Sequence, residues 1–96
     1  MPRLARKDYD TSFFHVMTQG INKECIFNDN TNKEKYIELM CKYLEKYNVK
    51  IIAYCIMDNH AHLLVYAKRI YELSEYMRSI NTTYAIYYNR KIKRVG

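Results

Sequence analysis

The sequence has no tryptophan, one proline and two glycines in 96 residues. With so few chain breakers, its elements have to be read from the periodicity of apolar residues rather than from punctuation. Its three cysteines, Cys25, Cys41 and Cys55, form no CxxC pair. An odd number at that wide spacing excludes a disulfide framework and a cysteine-based zinc knuckle, and predicts three small buried thiols in a reducing cytoplasm. No apolar run approaches the ~20 residues of a bilayer-spanning helix, so no membrane partner is expected. The opening Met1-Pro2-Arg3-Leu4-Ala5-Arg6-Lys7 is charged but lacks an apolar stretch behind it, unlike a secretory signal. Internal repeats, low-complexity tracts and glycine- or serine-rich linkers are also missing. The chain is one domain's worth, and its 49% hydrophobic and 27% charged residues set it apart from a disordered tail.

What the sequence does have is positive charge and tyrosine. The formal charge is +6, and eleven tyrosines stand beside three phenylalanines. Residues 1–67 carry nine basic and eight acidic side chains, whereas residues 68–96 carry seven basic and two acidic. The excess is therefore concentrated in the last third. Lysine, arginine and tyrosine together suit a polyanion whose bases can stack, which is single-stranded nucleic acid. A solvated helix with a basic end would carry the same charge.

Phe13 to Thr18 is dense in aromatic and β-favouring residues and leads to Gly20, which predicts a first strand. Asn28-Asp29-Asn30 reads as a loop, and Thr31 with Glu34 has capping-box spacing. Ile37, Met40, Cys41, Leu44 and Tyr47 then recur at three- and four-residue intervals, predicting an amphipathic helix of about four turns. Val49 to Met57 is apolar on both faces apart from Lys50 and Tyr54, which predicts a buried second strand. Asp58-Asn59 suits a tight hairpin turn, because both residues tolerate positive φ. His60 to Tyr66 is the third strand. Tyr71 to Lys93 forms a second helix, with Leu73, Tyr76, Met77, Ile80, Tyr84 and Tyr87 along one face.

The order β-α-β-β-α predicts an α+β fold, the ferredoxin-like split β-α-β. Its antiparallel sheet has the third strand in the centre and two helices on one face. The last strand of that layout has no counterpart in the sequence.

The sharpest chemical feature is Asp58-Asn59-His60-Ala61-His62-Leu63-Leu64-Val65. On a strand, His60 and His62 share one face, while Ala61, Leu63 and Val65 form an apolar face that can pack on helices. Two neighbouring imidazoles can both reach one divalent cation. They could equally be polar residues on a half-exposed sheet. His15 on the first strand could lie near the pair, but it reads better as a hydrogen-bonded strand residue than as a third ligand.

The chain as a whole resembles the REP-associated tyrosine transposases of the HUH superfamily, which act on single-stranded DNA. Pro2-Arg3-Leu4-Ala5-Arg6 and Phe14-His15-Val16 are similar to that family's opening and first strand. Ile26-Phe27-Asn28-Asp29 resembles its Ile-Phe-x-Asp segment, and Met57-Asp58-Asn59-His60-Ala61-His62-Leu63-Leu64-Val65 its Met-Pro-Asn-His-Val-His-Leu-Leu core. Ile80-Asn81-Thr82-Thr83-Tyr84-Ala85-Ile86-Tyr87-Tyr88-Asn89-Arg90 resembles the helix that follows. The family often has arginine where Gln19 stands and proline where Asp58 stands. Its chain also continues past a Val-Gly like Val95-Gly96 to a helix bearing the nucleophilic tyrosine, four residues before an Asn-Pro; that helix has no counterpart here.

The resemblance implies a divalent metal, magnesium or manganese, on His60 and His62. It also implies attack by a tyrosine on a DNA phosphate, leaving a 3′-hydroxyl and a 5′-phosphotyrosine. With the tyrosine helix missing, it implies a C-terminally shortened domain that binds single-stranded or hairpin DNA without cleaving it alone. Tyr84 is the fallback nucleophile, but Asn89 lies five residues on rather than the four that would place it on the same helical face. Lys7, Arg78, Arg90, Lys91, Lys93 and Arg94 are the candidate DNA contacts. The edge left open beside the first strand implies a homodimer or an edge-paired assembly. The implied location is a bacterial cytoplasm, at the nucleoid. A non-catalytic nucleic-acid-binding module and a decayed remnant are the alternative functions.

Overall fold

The computed structural model describes residues 12–20 and 24–95, in the order β1 (Phe13–Gln19), α1 (Asn30–Lys42), α2 (Leu44–Tyr47), β2 (Val49–Ile56), β3 (His60–Ala67) and α3 (Ile70–Val95). Strict alternation along β3 organises the molecule. Ala61, Leu63, Val65 and Ala67 are fully buried, while His60, His62, Leu64 and Tyr66 between them stay half-exposed. A strand of that pattern needs cover on one face only, and α1, α2 and α3 supply it. Phe14 and Val16 of β1 join the same core, together with Phe27, Tyr36, Leu39 and Met40, and with Leu73, Tyr76, Met77, Ile80 and Tyr84 of α3.

The sheet order is β1-β3-β2, with both outer strands antiparallel to β3. The helical crossover from β1 to β2 thus leaves a gap that β3 fills, and the fold is the α+β split β-α-β arrangement expected from the element order. No helix among the described residues is long and apolar enough to cross a membrane.

Several local expectations are corrected. β2 is an edge strand rather than a buried one, and only Val49 in it is buried. A bulge at Ile52, between the pairs Ile51–Val65 and Ala53–Leu64, turns its outer half toward solvent. All three cysteines are exposed. The first helix is capped by Asp29, whose carboxylate accepts from the Asn32 amide at 2.8 Å, and not by Thr31. Its buried stripe runs through Asn32, Tyr36, Leu39 and Met40, and the chain kinks at Tyr43 before the short α2. The β2–β3 connection takes three residues, Met57 to Asn59, and among the described residues only Asn48 has a positive φ outside glycine.

That connection is fastened from several sides. The Phe27 amide donates to the Asp58 carbonyl at 2.8 Å, the Gly20 amide to the Asn59 carbonyl at 3.3 Å, and Lys33 pairs with the Asp58 carboxylate at 3.2 Å. Gly20 also lets the chain pass close to itself at Glu24, because a Cβ there would stand 2.5 Å from the Glu24 carbonyl oxygen.

Tyrosine hydroxyls tie the helices to one another and to the chain at Glu24 and Ile26. Tyr36 donates to Asn81 Oδ1 at 2.9 Å, Tyr76 to the Met40 carbonyl at 2.8 Å, and Tyr87 to Asn32 Oδ1 at 3.0 Å. Tyr84 donates to the Ile26 carbonyl and Tyr88 to Glu24 at 2.8 Å. Tyr43 meets Thr83 and Tyr47 meets Ser79 at 3.3 and 2.7 Å. These seven of the eleven tyrosines serve packing first. An aromatic ring gives the core its bulk, and its hydroxyl satisfies a polar group on the neighbouring element.

Candidate functional site

The face of the sheet away from the helices carries the histidines. Residues paired across an antiparallel ladder point the same way, so Met17, His62 and Cys55 form one row and Gln19 and His60 the next. His15, paired with Leu64, stands diagonally to His62. His15 Nε2 lies 3.1 Å from His62 Nδ1, with the two rings nearly parallel and their centroids 5.1 Å apart. The His60 and His62 rings are 4.8 Å apart and perpendicular. His60 Nδ1 in turn lies 2.6 Å from Asn59 Oδ1.

The structure therefore brings His60, His62 and His15 together, with His15 bound to His62 through that ring's Nδ1. Among the described residues, no three histidine, cysteine, aspartate or glutamate side chains converge on a point that could hold a metal ion. Loss of surrounding water, then the neighbouring charges of His60 and His15, pushes the His62 pKa down. The ring is thereby favoured in the neutral form that a metal requires.

Around the histidines the face is mixed, with Gln19 beside His60 and Met17 and Cys55 beside His62. Phe13 and Met17 are about half exposed, and Phe13 packs edge-on against Tyr66 at 5.2 Å between centroids. The strand positions that share this face include no carboxylate, so its strongest donors are imidazoles and the Cys55 thiol.

Tyr84 stands on the other side of the sheet. It is buried among Phe27 and Tyr36, with ring centroids 5.1 and 5.3 Å away, and burial raises its phenol pKa. Tyr66 does share the histidine face. It stands four residues along the strand from His62, about 13 Å away.

The candidate DNA contacts fall into separate groups. Arg90, Lys91 and Lys93 border a groove of about 780 Å³ between the start of α1 and the end of α3, where Lys35 joins them. Composition alone did not single out Lys35, because it precedes the basic third of the chain. Lys91 is held by Asp29 at 3.2 Å and Asn32 at 2.7 Å, beneath the Tyr87 ring. Arg78, paired with Glu75 at 2.5 Å, lies twelve helical residues before Arg90, or about 18 Å along α3. Lys7 and the Arg94 side chain lie outside the described residues. The groove and the histidines occupy opposite sides of the sheet.

Residues 9–96 match the family model described as IS200-like transposase. No curated protein matches the chain. The match spans the strand with the histidine pair, both flanking strands and the helical layer, and on it the chain belongs to the IS200-like transposase family.

Proposed function

We propose that this transposase-family domain binds single-stranded or hairpin DNA and a divalent cation, as the recognition half of a strand-cleavage and strand-transfer reaction. The observation that carries the reading is the placement of His60 and His62 side by side on the uncovered face of the sheet. Their donor chemistry fits a divalent cation. Each ring has its Nδ1 engaged by a neighbour, which leaves Nε2 as the ring nitrogen for a cation. A cation held there would supply polarisation of a phosphodiester oxygen. Arg90, Lys91, Lys93 and Lys35 hold backbone phosphates on the helical side, with Lys7, Arg78 and Arg94 as further contacts. Exposed Tyr71 and Tyr54 are the rings best placed to stack on unpaired bases.

No described tyrosine hydroxyl stands beside the histidines, since Tyr84 is across the sheet and Tyr66 is too far along the strand. Cleavage thus needs a tyrosine from outside the described residues, which by themselves bind without cutting. A second copy paired along the open edge of β1 is the expected assembly, with a clean monomer at high concentration as the result that counts against it in light scattering.

Labelled single-stranded hairpin DNA with Mn²⁺, read by fluorescence anisotropy and on a denaturing gel, tests the reading. Binding should weaken steeply with salt. Replacing Arg90 and Lys93 with glutamine should flatten the slope by about 0.7 for each single-strand phosphate that is no longer neutralised. No covalent adduct should form. An adduct that disappears in Tyr84→Phe would overturn the assignment, and salt-insensitive or undetectable DNA binding would remove the proposal altogether.

A further inference from the structure

Resting on the metal reading above, we infer that Asn59 and His15 are positioning residues that fix the tautomers of His60 and His62, so that both rings present Nε2 as a bare lone pair on the open face. A side-chain amide oxygen can only accept a hydrogen bond. His60 Nδ1, 2.6 Å from Asn59 Oδ1, must therefore carry the proton, and His60 Nε2 is left as the acceptor. The contact between His62 Nδ1 and His15 Nε2, at 3.1 Å, does the same for the second ring when His62 donates and His15 accepts. Each ring is then left with Nε2 as the nitrogen that can bind a cation. A metal-bound imidazole commonly donates its other ring N–H to a partner that sets its orientation.

The partners are themselves held. Asn59 sits in the fastened β2–β3 connection, where its carbonyl accepts from Gly20 and the flanking Met57 amide donates to the His60 carbonyl at 2.8 Å. His15 is fixed by the β1–β3 register, which pairs Met17 with His62 and so places His15 one diagonal step away. Neither residue would touch the cation, since each acts through the nitrogen that faces away from it.

Long-range ¹H–¹⁵N correlation spectra of the metal-free protein at mildly alkaline pH, where imidazoles are neutral, read the tautomers directly. His60 and His62 should both be protonated at Nδ1. Asn59→Ala should move the His60 proton to Nε2, whereas Asn59→Asp, which keeps an acceptor oxygen, should restore Nδ1 protonation. His15→Ala should move the His62 proton. Co²⁺ titration should show each alanine variant binding about 10- to 100-fold more weakly, at an unchanged thermal midpoint. Nε2-protonated rings in the unsubstituted protein would overturn the inference whatever the cation does. Nδ1-protonated rings without any Co²⁺ binding would uphold the tautomer assignment and overturn the metal reading on which its purpose rests.

Discussion

His62→Ala is expected to weaken Co²⁺ or Mn²⁺ binding by more than about a hundredfold, beyond the range for losing an orienting partner of a ligand. The same substitution should move the thermal midpoint by no more than about 4 °C, because it alters a half-exposed position on an uncovered face. His62 is central to the cluster, between His60 at 4.8 Å and His15 at 5.1 Å between ring centroids, so its loss removes one ligand and strands the His15 partner. Calorimetric titration with the metal alone, followed by a melting curve, separates the two effects. Undiminished binding would place the cation elsewhere. Imidazole donors beside the Cys55 thiol should also hold Zn²⁺ or Ni²⁺ more tightly than Mg²⁺, a preference set by ligand softness rather than by the reaction.

One residue further along the strand the expectation reverses. Leu63 is fully buried, paired with Val16 on one side and Tyr54 on the other, on the face that the helices cover. Leu63→Ala removes a buried side chain that its neighbours cannot fully replace. It should cost about 2–5 kcal/mol of stability, a large part of the roughly 5–15 kcal/mol that a small domain has. The thermal midpoint should fall by about 10–25 °C for a chain of this size. The fraction that remains folded should still bind Co²⁺ with the original affinity. A small shift in midpoint would mean that the helical layer collapses into the space, and weakened metal affinity in the folded fraction would mean that the two faces of β3 are coupled.

Those opposite outcomes arise because β3 alternates without a break, and this is also why it was the most legible part of the sequence. Its period of two fixes which side chains are covered, whatever the rest of the chain does. The stripe of α3 was equally readable, since Leu73, Tyr76, Met77, Ile80 and Tyr84 keep helical spacing and all reach the core. β2 misled because an apolar run signals burial only if both faces of its sheet are covered, and here helices cover one face and topology puts β2 at the edge. In α1, spacing admitted a stripe through Cys41 and Leu44. Met40 is buried and Ile37, Leu44 and Tyr47 pack against the core as that spacing expects, but Tyr36 and Leu39 hold the most deeply covered positions and Cys41 is exposed. The His15–His62 contact joins residues 47 positions apart in a register that no local pattern encodes. Asn59 was visible as a turn residue, but its hydrogen bond to the adjacent ring depends on how the loop is fastened.

The abundance of tyrosine has a consequence in alkali. Burial pushes the Tyr36 phenol up from 10.0 to about 12, and raises Tyr76 and Tyr84 as well. Unfolded phenols ionise near their ordinary value, so these three favour the native chain fully below about pH 10 and progressively less above it. A phenolate also has no proton to donate, so each ionisation would sever a tie between neighbouring elements. Ultraviolet titration should therefore show the buried group ionising in one steep, cooperative step that coincides with loss of helical circular dichroism. Strong base would act on this protein as a denaturant, with the tyrosines that hold it together also reporting the moment it comes apart.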